Sequence, residues 1–453
     1  MHRALLPIAV AAVLAPTIVA QEAGKLIPNA RALKCGCRSG GPRNYHGTDP
    51  NWVAVERRDV PIVLEGIVRQ SFAAAEDWPW THDGHDVCIF LALDPKYTHL
   101  HSDGNRVVSG ERILEAEWEI NYFPPRFWPA AGDRAWLIGR WVFDCAHPPY
   151  RTEMHPPKGV AFTRLAPMLL PEDATPSLVH RVRVYFHGQG GYFYDPVEGT
   201  NYEFDVPLPP KPSPDARLRA EIIDLPFGGP APRLTPLPVS APTRVHVVYP
   251  LASHKPTAKR WNIFAQRRAS EASGQARAEF TLGRPRGTPR FAADIAVGWS
   301  EHVPTIAYRT IRITLDSIEI LSDHDVIASG EWNLWIRVNG DWSHVPGLRD
   351  VDDDDVVKIG RVVDVIVPED GQVVLQTTGW ESDSDSLMGV GLQPKLPDPR
   401  LLDRNTRLGH VLRSFAKADA FGVGKHRDLS TAKDFVLRYR IEELRHWRKG
   451  VPR

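Results

Sequence analysis

The chain has 453 residues, 42% hydrophobic and 24% charged, which fits a folded multidomain protein and excludes a disordered one. Lys plus Arg and Asp plus Glu are both 55, so no overall field draws the chain onto nucleic acid, and no nucleic-acid partner is expected. With 41 prolines and 34 glycines, the composition predicts many short strands joined by turns, a mainly β, multidomain fold.

The N-terminus reads MHRALLPIAVAAVLAPTIVAQEAG: a short basic start, an apolar stretch from Ala4 to Ala20, then Gln21. This is the pattern of a secretory signal peptide over residues 1–20, cleaved near Ala20, and it predicts an exported protein; an uncleaved membrane anchor is the alternative. Residues 21–50 are polar and Gly-rich and read as a flexible leader. Four cysteines follow the apolar stretch: Cys35, Cys37, Cys88 and Cys145. Export permits disulfides, and four Cys allow three pairings. Cys88 in DVCIFLAL and Cys145 in WVFDCAH both sit in strand-like runs, so a Cys88–Cys145 bridge is expected.

Residues 51–170 hold five strand-like runs: VPIVLEGIVRQ, HDVCIFLALD, RILEAEWEI, DRAWLIGRWVFDC and GVAFTRL. An insertion with Pro124, Pro125 and Pro129 precedes the fourth. That order is the order of a five-stranded Greek-key barrel, and the Gly-Asp turn feeding an alternating strand resembles the fourth strand of OB-fold domains. A second all-β segment spans 178–252. Residues 253–305 read as a basic connector, with nine Lys or Arg against two Glu between His254 and Arg290. From residue 306 to 446 alternating strands predict an antiparallel sandwich, with LGHVLRSFAKADAFGVG as a short amphipathic helix and 447–453 as a basic tail.

Charge is uneven in the last region. Asp316 to Asp385 holds seventeen acidic and four basic residues. The acids fall at strand ends: Asp323 and Asp325 in LSDHD, Asp352 to Asp355 in DVDDDDV, and Glu381, Asp383 and Asp385 in GWESDSD. Calcium takes six to eight oxygens at flexible geometry, which converging loops supply. Asp323, Asp325, Glu381, Asp383 and Asp385 form the expected calcium set, with DVDDDDV on another turn. This arrangement resembles calcium-dependent phospholipid-binding sandwich domains, in which Asp-rich loops at one tip hold the ion. A solvated acidic face is the alternative reading.

A second constellation lies in the barrel. WPWTHDGHDVC contributes His82, His85 and Asp86, and FDCAHPPYRTEMHPP contributes His147, Glu153 and His155. His82, His85, Asp86, His147 and His155 offer donors for zinc or a similar ion, and His147, Glu153 and His155 are the catalytic candidates, Glu153 as general base for a metal-bound water. No HExxH, GxSxG or P-loop fixes a reaction, so the sequence leaves open whether the chain is an enzyme. Trp118, Trp136 and Trp141 are expected in the core; for Trp78, Trp80 and Trp128, in loops, the sequence leaves open whether they fill the barrel or are exposed to stack on a ligand. The sequence-level expectation is a calcium-dependent binding or surface-interaction protein whose partner is a glycan, a lipid head group or an extracellular protein. The rival is a metal-dependent hydrolase acting from the barrel.

Overall fold

The computed structural model describes residues 26–35, 37, 52–55, 61–77, 84–119, 123–145, 149–187, 201–250, 290–301, 303–324, 329–381 and 406–450. The fold is mainly β, as the composition predicts, and is built from several sheets. Residues 1–20 and 253–289 and the tail after 450 lie outside the described residues. No helix among the described residues is long and apolar enough to cross a membrane.

The chain enters through α1 (Asn29–Cys35), where the sequence leads one to expect a leader. Ile27 forms a bridge to Ser102, and Ala32 is fully buried, so this segment is docked on the barrel. Cys37 bridges Cys145, which corrects the expected Cys88–Cys145 pairing. Cys88 stays a thiol because strand alternation turns it to the other face of its sheet from Val87 and Ile89.

The first strands are β1 (Trp52–Ala54), β2 (Ile62–Asp77), β3 (Gly84–Leu93), β4 (Val107–Val108), β5 (Glu111–Glu119), β6 (Arg134–Asp144) and β7 (Arg151–Met168). β2 pairs with β6 and β3, and β3 with β5. β5 and β7 pair in parallel, and β7 returns to β6, which closes a barrel. Its interior is the alternate residues of each strand: Val87, Ile89 and Leu91 from β3, Leu114, Ala116 and Trp118 from β5, Met154, Val160 and Phe162 from β7.

β7 then carries the sheet onward to β8 (Ser177–His187). β9 (Tyr202–Pro207), β10 (Arg217–Asp224), β11 (Arg233–Leu237), β12 (Arg244–Tyr249) and β13 (Arg290–Ser300) follow. β13 pairs with β8 and β10, while β11, β12 and β9 form a separate sheet over the same face. The middle region is therefore continuous with the barrel sheet. Nor does the connector reach 305: RFAADIAVGWS is a strand buried on both faces, which explains its weak alternation. Trp136 and Ile138 of β6 pack with Phe186, Phe204 and Tyr249 between the layers.

The last region is a two-sheet sandwich of β14 (Tyr308–Ile320), β15 (Trp332–Val338), β16 (Asp341–Val345), β17 (Val356–Pro368), β18 (Gln372–Glu381), β19 (Thr406–Arg407), β20 (Leu412–Ala416), β21 (Gly424–Leu429) and β22 (Phe435–Trp447). One sheet runs β17-β14-β22-β21 and the other β16-β15-β18, with β19 and β20 both on β18. The expected helix near 408–424 is instead β20 followed by a short, irregular 3-10 turn at Lys417–Gly422. The open edge of β18 gives its backbone a ladder, Val373 opposite Phe415, and Ala420 and Phe421 take positive φ in the turn. Tyr439 donates its hydroxyl to Asp428 at 2.7 Å in the sandwich. Tyr439→Phe is expected to cost about 2 kcal/mol in urea unfolding, the range of a hydrogen bond to a charged group; a loss under a few tenths would show that Asp428 is held by Arg413 alone.

The sandwich docks on the barrel through indoles. Trp128 lies 5.6 Å from Trp335 and 5.9 Å from Trp342. Trp342 donates to the Pro129 carbonyl and Trp380 to the Ala73 carbonyl. Trp128, which the sequence leaves undecided between burial and stacking, is buried in this joint, and Trp118, Trp136 and Trp141 are in the core as expected. Trp78 and Trp80 lie outside the described residues.

Candidate metal centre

The barrel wall of β3, β5 and β7 has a second face. Alternation that turns Val87, Leu114, Ala116 and Met154 inward turns Asp86, Cys88, Glu115, Glu117, Glu153 and His155 outward. Register brings these together: Cys88 sits opposite Glu117, and the parallel pair sets Glu115 beside Glu153. Although they face away from the core, Asp86, Glu115, Glu153 and His155 are all buried.

His155 Nδ1 lies 2.9 Å from Glu117 Oε2 and 3.7 Å from Glu153 Oε1. Arg151 lies 2.9 Å from Glu115 and 3.2 Å from Asp144. The Cys88 thiol donates to Glu117 Oε1 at 3.4 Å. Each of two triads, Asp86 with Glu117 and His155, and Cys88 with Glu115 and Glu117, has its donor atoms within 4.8 Å of one another. Burial, then the charge of Glu117, pushes the Glu115 carboxyl up to about 7 against the pull of Arg151. Burial, then Asp144 and Glu117, holds the Glu153 carboxyl well above the usual range. Burial and Glu117 likewise raise the Cys88 thiol. Crowded buried carboxylates of this kind resist ionising together unless a cation sits among them. Carboxylate oxygens with one imidazole nitrogen suit zinc, manganese or iron, and a thiolate would favour zinc.

Of the residues singled out from the sequence, Asp86, Glu153 and His155 meet here. His85 does not: its Nδ1 lies 2.7 Å from the Ala74 carbonyl and its ring packs edge-on against Trp335 at the joint, because an odd position in β3 faces the other way. His82 and His147 lie outside the described residues. Sequence reasoning missed Glu115, Glu117 and Cys88. The signal was present: RILEAEWEI carries acids at every second position, a charged stripe down one strand face.

At the sandwich end, the Asp323 amide donates to Asp353 Oδ1 at 2.8 Å, and the Trp332 indole donates to the Asp323 carbonyl at 3.0 Å. Trp332 is the register partner of Glu381. Asp323 and Glu381 thus share an end, and DVDDDDV joins them rather than lying on another turn. Asp325, Asp383 and Asp385 lie outside the described residues. Among the described residues, both triads with metal-ligand spacing belong to the barrel.

No family model matches the chain, and no curated protein matches it. Solved structures similar to it include the paired C2 domains of Extended-Synaptotagmin 2, at 16% identity and TM-score 0.21, covering 31% of this chain and 42% of that one. The calcium-bound form of those domains matches at 16% identity and TM-score 0.22, over 31% of this chain and 46% of that one. Human GIVD cytosolic phospholipase A2, in complex with an inhibitor and terbium chloride, matches at 9% identity and TM-score 0.22, over 31% of this chain and 18% of that chain. This chain therefore spans less than half the length of each of these three. Likenesses at this level carry no functional argument.

Proposed function

We propose that this chain is an exported, multidomain β protein that binds a divalent transition-metal ion on the outer face of its barrel, through Asp86, Glu117 and His155, with Cys88 and Glu115 beside them. The carrying observation is the convergence of those three donors within 4.8 Å of one another in a largely buried setting. The barrel's strand order, with its single parallel closure between β5 and β7, supports reading it as OB-type. The N-terminal apolar stretch and the Cys37–Cys145 bridge support an oxidising, extracytoplasmic location. Burial supports a binding role over hydrolysis: Glu153, the candidate general base, is 1% exposed, and a hydrolytic base must reach the water it activates.

The test is calorimetric titration of chelator-stripped protein with zinc and with manganese. Saturable binding is expected, with a stabilisation of about 2.7 kcal/mol at a hundredfold excess over Kd. Glu117→Gln with His155→Ala should remove it. A second reading, a calcium site at the sandwich tip serving a lipid head group, rests on the meeting of Asp323, Asp353 and Glu381 at one end. Calcium binding that survives the barrel substitutions, with no response to zinc or manganese, would favour that reading over the first.

A further inference from the structure

Between the barrel sheet and the sandwich lies a groove of about 610 Å³. That size accommodates a small organic ligand. Its lining includes four arginines, Arg164, Arg181, Arg183 and Arg337, against Asp133, Asp341 and Asp364. Three of the guanidiniums are committed. Arg164 makes a two-pronged bond to Asp133, both at 2.6 Å, and a third bond to the Asn339 carbonyl at 3.1 Å. It lies over Gly340, whose φ of +89° and lack of a Cβ leave room for that approach. Arg181 is held by Asp294 and Asp341, and Arg183 by Asp341. Asp364 is taken by Arg312.

Arg337 is different. It projects from β15 half-buried, with its guanidinium 5.3 Å from the centre of the Trp342 ring. No carboxylate among the described residues pairs with it, and its Nε is buried without a hydrogen-bond partner. Burial and the neighbouring Arg164 depress its proton affinity. A guanidinium in this position is costly to the fold, and groups kept at such a cost tend to serve a ligand. The groove also has an apolar side. Leu165 and Leu169 are each 44% exposed, with Pro167 and Met168 between them.

We propose that this groove binds an amphipathic anion, its carboxylate or phosphate head on Arg337 and its apolar part against Leu165, Pro167 and Leu169. The planar fork of arginine matches either oxyanion with two parallel hydrogen bonds, and the indole beneath it fixes the plane of the fork.

The test uses the full chain, with dodecanoate and dodecyl phosphate as separate probes below their micelle concentrations and a neutral dodecyl maltoside as control. One or both anions should bind saturably in calorimetry, with no matching signal from the neutral surfactant; which anion binds tighter identifies the head group. Arg337→Met should weaken that binding roughly tenfold or more, the loss of a charged hydrogen-bond pair. Arg337→Met should also leave Tm unchanged or raise it, because it removes a half-buried charge with which no carboxylate among the described residues pairs. No saturable binding of either anion, equal binding of the neutral surfactant, or affinity unchanged in Arg337→Met would overturn the proposal. So would a fall in Tm for Arg337→Met with affinity preserved, which would make Arg337 a structural partner of Trp342 only.

Discussion

Cys145→Ala is expected to destabilise the chain by about 4.7 kcal/mol, the entropy released when a loop of this length is no longer closed in the unfolded state. The bridge joins residues 108 apart and ties the segment around α1 to the end of β6. Without it, Ile27, Ala32 and Cys37 keep their apolar contacts with the barrel but lose the covalent constraint that holds them there. The measurement is urea unfolding of Cys145→Ala, Cys37→Ala and Cys88→Ala beside the parent. The first two should show the same fall in Cm. Cys88→Ala should change it little, since Cys88 closes no covalent loop and its thiol bond to Glu117 is long, at 3.4 Å. An equal fall for Cys88→Ala and Cys145→Ala, with Cys37→Ala neutral, would restore the pairing expected from the sequence.

The second large effect is a pH dependence carried by Glu115. Its carboxyl titrates at about 7 in the folded, metal-free chain against an ordinary 4.5, because burial and Glu117 outweigh Arg151. Between those values the folded state holds a proton that the unfolded state has lost. Stability therefore falls as pH rises through that window and levels off above it, by about 3 kcal/mol in all. Glu115→Gln cannot ionise, so in chelator the variant should match the parent near pH 4.5 and exceed it by about 3 kcal/mol at pH 8. Taking the difference between variant and parent cancels titrations remote from Glu115, including His101 and His187, which burial depresses and which act in the opposite sense. Parallel stability curves for the two proteins would show that Glu115 is solvated or fully paired. A bound cation should erase the difference, because it favours the ionised carboxylate that the metal-free fold resists.

The barrel was legible because its strands alternate over a two-residue period that the sequence displays openly: Val87, Ile89 and Leu91 against Asp86 and Cys88, Leu114, Ala116 and Trp118 against Glu115 and Glu117. β13 was hidden because both faces of RFAADIAVGWS are buried and no alternation survives. β20 was hidden because its conformation is set by the open edge of β18 and not by its own residues. The candidate metal cluster was half legible. Histidines in WPWTHDGHDVC draw attention to Asp86, but His85 sits on the face turned to Trp335, a fact that depends on strand phase. Glu115 and Glu117 lie some thirty residues from Asp86 and nearly forty from His155. Only the β3–β5 and β5–β7 registers, which no local pattern reveals, bring them to one place. The Cys37–Cys145 bridge was misassigned for the same reason, since it depends on where α1 docks.

The most direct test of the central claim is equilibrium dialysis of metal-stripped protein against zinc, followed by elemental analysis. The parent chain is expected to retain about one equivalent, the capacity of a single site of three to four donors, and Glu117→Gln with His155→Ala to retain none while still folded by circular dichroism. Equal retention in both proteins, or none in either, would contradict a metal centre on the barrel.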